Sequence, residues 1–344
     1  MTLPSSPAAG TTTGSAARSA TASANSNIAL IKYWGKADPA NQVPTTSSLS
    51  LTLGGTRTST TVAFDGGADG DDVVLINGFE PWGTARDRVV RFMDLVRERA
   101  GVTERATVSS VSTVPLAAGL ASSAAGFAAL AAAASRAAGL ELDDADLSRL
   151  ARRGSGSATR SVFGGLAVWH AGTDDATSYA EAVPGAEELD LAMVVITLET
   201  GRKSISSSRA MQATMTTSPL YPAWVEASAK DLEEALAAVA ARDLPRLGAV
   251  AEGNALGMHA AMAAARPAIL YWLPGTVEAI HAVAALREEG LPAWVTMDAG
   301  PNVKVVTSGA RAEEVAAALR ERLAGAIVSV RRPGGGIRYE QGAE

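Results

Sequence analysis

Four short segments of this chain gather charge, hydroxyl groups and glycine in ways that suit phosphate and carboxylate chemistry. Pro115-Leu-Ala-Ala-Gly-Leu-Ala-Ser-Ser-Ala-Ala-Gly126 is a small-residue loop opening into an alanine-rich helix. Gly119, Ser122 and Ser123 leave backbone N–H groups uncovered where a helix N-terminus offers its positive end, which suits a phosphate. No lysine follows Gly126, so this is not a Walker-type site, and a tightly packed Ala/Gly helix start would look the same. In Ile31-Lys-Tyr-Trp-Gly-Lys36 two lysines and a tyrosine surround a glycine. They can ring a phosphate with charge and a phenolic donor, or line a solvated strand edge, with Trp34 as packing. Gly154-Ser-Gly-Ser-Ala-Thr-Arg160 offers hydroxyls, bare amides and a guanidinium, the natural bidentate partner of a carboxylate, although Gly/Ser loops are common. Met297-Asp-Ala-Gly-Pro-Asn302 sets an aspartate between an apolar strand and a tight turn, placed either as a general base or as a turn-forming Asx residue. A further run, Lys203-Ser-Ile-Ser-Ser-Ser-Arg209, reads as a solvated linker or as a lid bringing hydroxyls to a phosphate chain.

These segments need rigid elements to bring them together. The chain has 344 residues, 47% hydrophobic and 19% charged, enough for two domains with ample cores. A net charge of −6 gives no basic field for nucleic acid, so anions must be held by local groups. The absence of cysteine excludes disulfides, thiolate zinc sites and a cysteine nucleophile. His170, His259 and His281 lie too far apart in sequence for a histidine-rich metal centre, and the last two read as helix-surface or core-edge residues. No apolar run is long enough to span a membrane. Residues 1–20 read as a disordered tail rather than a signal peptide, and a cytoplasmic location is expected.

Apolar patterning predicts strands over 27–34, 48–62 and 73–76, the last ending at the Asn77-Gly78 turn. Val89, Phe92, Met93 and Val96 recur at helical spacing within 86–99. A strand over 106–114 leads into the Pro115–Gly126 loop and a helix from Ser122 to about Ala138, followed by a short helix over 142–153 and strands over 161–169 and 191–198. Beyond a Ser/Thr-rich loop, helices are expected over 225–242, 247–262, 276–289 and 312–323, with strands over 292–298 and 303–307. Two α+β units fit this order, with a boundary near 190–200.

Taken together and in this order, the four segments resemble the diphosphomevalonate decarboxylase family of the GHMP kinase superfamily, over about Ala24 to Thr307. Generic GHMP kinases share only a form of the Ser-rich loop, whereas the Lys-Tyr-Trp-Gly-Lys and Asp-Ala-Gly-Pro-Asn segments point to the decarboxylase branch. The resemblance implies an α+β GHMP kinase fold: a tail over 1–20, a ribosomal-S5-like N-terminal domain over 21–195, a ferredoxin-like C-terminal domain over 196–330 and a flexible tail over 331–344. It implies a site in the cleft between the domains, ATP and Mg2+ as cofactors, mevalonate 5-diphosphate as substrate, and a homodimer.

Carried over residue by residue, Asp298 matches the catalytic aspartate that orients or deprotonates the 3-hydroxyl, Arg160 the arginine that grips the substrate carboxylate, and Lys32 a lysine near the site. Tyr33, Trp34, Gly35 and Lys36, the loop Ser155, Gly156, Ser157, Ala158 and Thr159, and Ser208 match substrate contacts. Arg88 matches a substrate arginine, with Arg86 and Arg91 as alternatives if the match slips. Ala118, Gly119, Leu120, Ser122, Ser123 and Ser207 match ATP contacts; Mg2+ would be held mainly through ATP phosphates, with Ser122 as the protein contact. Thr159 and Ser208 stand where eukaryotic members often carry cysteine and threonine, and neither change removes a charge. Three other readings stay open: a decarboxylase of mevalonate 5-phosphate, a kinase that stops at the 3-phosphate, and a silent nucleotide-binding relative. Tyr33, Lys36, Arg160 and Asp298 together disfavour the kinase, and an intact Asp298 argues against the silent relative.

Overall fold

The computed structural model describes residues 18–66, 70–113, 122–199 and 205–340. Its N-terminal half runs β1 (Arg18–Ile31), the small antiparallel pair β2 (Lys36–Asp38) and β3 (Val43–Pro44), β4 (Ser48–Phe64), β5 (Val73–Ile76), α1 (Thr84–Ala100), β6 (Thr107–Ser112), α2 (Ser122–Ala137), α3 (Asp144–Gly154), a 3-10 helix (Gly156–Val162), β7 (Leu166–Trp169) and β8 (Ala180–Ala182). The C-terminal half continues with β9 (Leu191–Thr197), α4 (Ser207–Thr217), α5 (Tyr221–Ala240), α6 (Leu244–Ala263), α7 (Pro274–Glu288), β10 (Trp294–Thr296), β11 (Val303–Ser308), α8 (Ala312–Arg322), β12 (Ile327–Arg331) and β13 (Arg338–Glu340). The fold class is α+β, as expected.

β1 and β4 form the antiparallel spine of the first sheet, with β6 and then β5 beyond β4, and β7 pairing the start of β4. Against this sheet lies α2, where buried alanines such as Ala124, Ala128, Ala131 and Ala132 leave room for a close approach. Alanine is the best helix former and loses no side-chain entropy, so a helix of such small residues stays stable while its backbone sits near the strands. Phe92, Met93 and Val96 of α1 and Leu147 and Leu150 of α3 complete this core.

The second sheet is wholly antiparallel, in the order β10-β11-β9-β12. Strand alternation splits β9 between two cores: Val194 and Ile196 meet α7 and α8, whereas Met193 and Val195 face α5, α6 and the strands of the first sheet. That second core joins Ile28, Leu30, Leu49 and Leu51 to Leu247, Ala251 and Trp294, so α5 and α6 tie the two halves together. A Cβ on Gly248 would lie 2.3 Å from the Trp294 ring, which explains glycine inside α6.

Several expectations need correction. Arg18–Ala20 are not tail but the start of β1, paired with Ala63, Val62 and their neighbours on β4. Residues 331–340 are not a flexible tail either. After β12 the chain crosses back to the first sheet, where β13 pairs with Thr21–Ser23 of β1. The crossing is held by Gly334 N–H to Thr52 O (2.8 Å), Gly165 N–H to Gly334 O (3.0 Å) and Ile337 N–H to Val162 O (3.0 Å). A Cβ on Gly336 would sit 2.4 Å from the Val162 carbonyl, and one on Gly334 2.7 Å from the Gly54 nitrogen. The glycines are there for close backbone packing, not for flexibility. The strand expected over 161–169 begins only at Leu166, because the 3-10 helix extends through Val162. The Ser/Thr-rich loop becomes α4 from Ser207 onward, with Ser206 capping it by accepting the Arg209 N–H.

Candidate active site

A cleft of about 1350 Å³ lies between the two halves and is lined by residues from each expected segment. Among the described residues, seven cationic side chains line it (Lys32, Lys36, Arg88, Arg91, Arg153, Arg160 and Lys304), against three carboxylates (Asp94, Glu199 and Asp298). In a chain of net charge −6, this concentrates positive charge in one concave surface.

At its centre, the Lys32 ammonium lies 3.1 Å from Asp298 Oδ1 and donates to the Ala29 carbonyl at 2.7 Å. Lys32 follows β1, and its backbone N–H donates to Asn254 Oδ1 on α6, whose amide is held in turn by Ser228 and Asp231 of α5. Burial pushes this ammonium down to about 8, with Asp298 opposing and Lys304 reinforcing the fall. Asp298 is partly exposed to the cleft and held on a rigid turn. Pro301 O accepts from Thr276 at the start of α7, and Asn302 takes up the N–H groups of Leu198 and Glu199 at the end of β9.

Arg160 reaches the cleft from the 3-10 helix and is almost fully buried. Its Nη1 donates to Ser48 Oγ at 2.7 Å, and Nε and Nη2 share Asn27 Oδ1 at 3.3 and 3.2 Å. Burial lowers it to about 10, with Asp298 and Tyr33 opposing, so it remains charged at neutral pH. Asn27 also donates to Ser157 O and Ser161 Oγ, tying β1 to the 3-10 helix. Tyr33 packs edge-on to Trp169 with centroids 4.8 Å apart, and burial drives its phenol well above its ordinary value, so it is a donor. A Cβ on Gly156 would lie 2.7 Å from Tyr33 Oη. Gly35, at φ +121°, lies against Tyr221, whose hydroxyl donates to Trp34 O.

Lys36 and Arg88 stand together, each pushed down by burial first; Arg88 adds to the fall at Lys36, and Arg91 to that at Arg88. Arg88 also lies 4.8 Å over the Phe127 ring and donates to Gly154 O. Arg88 and Arg91 line the cleft, whereas Arg86 donates to Asp72 O and does not line it. Ser155 and Ser157 line it beside Ser123, with Ser123 Oγ and Ser155 Oγ 3.4 Å apart. Ser206, the cap of α4, and Ser207 and Ser208 of its first turn also line it.

Ala158 and Thr159 do not line the cleft. Ala158 packs in the first core, and the Thr159 hydroxyl donates to Gly156 O inside its own turn. Trp34 lines the cleft but is buried in an apolar cluster with Met211, Trp224 and Met258. Ala118, Gly119 and Leu120 lie outside the described residues, as does the Ser122 side chain. Ser123 lies in the first turn of α2, where no acidic side chain offsets the helix's positive end. That end and the cations fit the phosphates of a nucleotide. Among the described residues no cluster of three His, Asp or Glu side chains could hold a metal by itself. His259 is buried on α6, pushed down to about 4 by burial and therefore neutral, and its ring lies tilted against Trp272, 5.4 Å between centroids.

Two residues of this site carry no signal that sequence patterning could isolate. Asn27 lies inside a strand motif, and Lys304 is a single charge in a valine-rich strand.

Comparison with known proteins converges on one family. A model described as a diphosphomevalonate decarboxylase-like N-terminal domain matches residues 24–180, and one described as a mevalonate 5-diphosphate decarboxylase C-terminal domain matches residues 193–329. The diphosphomevalonate decarboxylase of Candida albicans is 33% identical over 313 residues, covering 86% of each chain. The phosphomevalonate decarboxylase of Haloferax volcanii is 32% identical over 309 residues, covering 88% of this chain and 92% of that one. A solved structure described as MDDEF in complex with MVAPP, AMPPCP and magnesium superposes with a TM-score of 0.90 at 45% identity, covering 95% of this chain and 100% of that one.

Proposed function

This chain belongs to the diphosphomevalonate decarboxylase family, and from that premise we propose that it converts mevalonate 5-diphosphate to isopentenyl diphosphate, ADP, phosphate and CO2. ATP would supply the phosphoryl group that turns the tertiary 3-hydroxyl into a good leaving group, and Mg2+ bound with it would offset the charge of its phosphates. Departure of that phosphate develops positive charge at C3, beside which the carboxylate releases CO2.

The observation that carries this reading is the convergence of Asp298, Lys32 and Arg160 on one rigid patch of the cleft. Asp298, next to the 3-hydroxyl, orients it and takes its proton as phosphoryl transfer proceeds. Lys32 keeps that carboxylate charged and turned toward the cleft. Arg160, already held by Asn27 and Ser48, grips the substrate carboxylate without reorganising. Lys36 and Arg88, with the Tyr33 phenol and the Ser155–Ser157 turn, receive the 5-diphosphate, whose charge relieves the crowding between these cations. The start of α2, from Ser123, and Ser207 and Ser208 of α4 receive ATP phosphates.

The crowded cations Lys36, Arg88 and Arg91 favour a diphosphate over a monophosphate. Among the described residues no helix is long and apolar enough to cross a membrane. We read the protein as a cytoplasmic homodimer, in line with the family. The test offers mevalonate, its 5-phosphate and its 5-diphosphate separately with ATP and Mg2+, and measures kcat/KM for CO2 release. The 5-diphosphate should be preferred by about 100-fold or more, the value of a lost multiply bonded phosphate; preference for the 5-phosphate would overturn the assignment of substrate.

A further inference from the structure

β11 is a central strand whose neighbours leave little place for a charge. Val303, Val305 and Val306 are fully buried, the first two against α7 and α8 and the third in the core shared with the first sheet. Between them stands Lys304, 2% exposed. An apolar residue would satisfy the strand, and a buried ammonium requires an ionic partner. Lys304 Nζ lies 3.7 Å from Asp298 Oδ2 and 3.3 Å from the Asn302 carbonyl. Lys32 Nζ lies 3.1 Å from the other oxygen, Oδ1. Each carboxylate oxygen thus meets an ammonium from a different half of the fold, Lys32 from the end of β1 and Lys304 from the second sheet.

We propose that Lys304 is a positioning residue for Asp298, acting with Lys32 as a two-sided cationic clamp that fixes the rotation of the carboxylate and keeps it ionised facing the cleft. This rests on the reading of Asp298 as the group that meets the 3-hydroxyl. Around Asp298 stand Lys32 beyond β1, Lys304 on β11, Arg160 on the 3-10 helix and neutral His259 on α6, whose ring bonds the Asp298 backbone. The two lysines also repel each other, and Lys304 makes Lys32 easier to deprotonate. Loss of Lys304 therefore acts on both partners in one direction: the carboxylate becomes harder to ionise and the Lys32 ammonium harder to discharge.

The experiment compares wild type, Lys304→Met, Lys304→Gln and Lys304→Arg. In the first two variants kcat should fall by about tenfold or more, the scale of a displaced reacting group. Both limbs of the kcat/KM–pH profile should move to higher pH, by about one unit for a charge at this distance. KM for ATP should change little, and Lys304→Arg should return the limbs toward their wild-type positions. A 13C NMR titration of the Asp298 carboxyl should show the same upward movement without any turnover. Reduced kcat with unmoved limbs and an unmoved carboxyl titration would make Lys304 merely structural and overturn the proposal, as would unchanged kcat. If wild type releases no CO2 from mevalonate 5-diphosphate, the functional reading fails; the NMR titration still decides whether Lys304 clamps the carboxylate.

Discussion

Lys32 is held in the folded protein at a cost, and removing it should reveal that cost. At about 1.4 kcal/mol per pH unit, lowering its ammonium from 10.5 to about 8 costs the native state about 3 kcal/mol wherever Lys32 is charged in both states. The sign follows from proton counts. Below pH 8 folded and unfolded chains both carry the charge, and the full cost is present. Between pH 8 and 10.5 the unfolded chain binds more protons, so stability rises with pH. Above 10.5 the cost is gone. Lys32→Met removes the charge and leaves Asp298 paired with Lys304 and 28% exposed, so no buried charge is orphaned. The Ala29 carbonyl loses its donor, at about 1 kcal/mol. The variant should therefore be about 2 kcal/mol more stable than wild type at pH 7, with the gap closing by pH 10.5, while turnover falls by about 100-fold or more through loss of the charge beside Asp298. Urea denaturation of both proteins at the two pH values, followed by tryptophan fluorescence, measures the gap. A Met variant less stable than wild type at pH 7, or a gap that does not close at high pH, would refute the reasoning.

Other outcomes follow from the same geometry. Asp298→Ala should abolish CO2 and ADP formation while nucleotide binding, measured by calorimetry, survives; near-normal turnover would remove Asp298 from the chemistry. Arg160→Ala should raise KM for the carboxylated substrate and lower kcat by about 100-fold with ATP affinity little changed; an equal loss of both affinities would point to collapse of the Asn27–Arg160 contact region instead. Gly336→Ala should destabilise the protein by about 2 kcal/mol or more, because the new Cβ would lie 2.4 Å from the Val162 carbonyl at the end of the Arg160 helix. An unchanged unfolding midpoint would show that the crossing gives way easily.

The site was legible where its chemistry is written as contiguous residues: Lys32–Lys36, Ser155–Arg160 and Asp298–Asn302 reach the cleft almost intact. The helix α1 followed from apolar periodicity, because Val89, Phe92, Met93 and Val96 share its buried face, whereas α5 and α6 followed from alanine-rich sequence. What stayed hidden depends on pairing between distant segments. Gly334–Gly336 looks loose by composition, yet Gly334 and Gly336 are required by backbone contacts with Gly54 and with Val162 and Gly164, far away in sequence. Arg18–Ala20 gain strand structure only from β4, and β13 only from β1. Ser206–Ser208 read as loop because serine is a poor helix interior residue, but at a helix start it caps. Lys304 is invisible as a motif, since its meaning comes from which face of β11 turns toward Asp298. Ala158 and Thr159 share the substrate loop's sequence but turn inward with the 3-10 helix.

The most direct test of the central claim is the stoichiometry of products from mevalonate 5-diphosphate, ATP and Mg2+ with the wild-type protein. Equal release of ADP, phosphate and CO2, in step with isopentenyl diphosphate, is the predicted result. ADP formed without CO2 would mean that the cleft stops at phosphorylation, and would contradict the decarboxylation assigned to this site and the role given to Arg160.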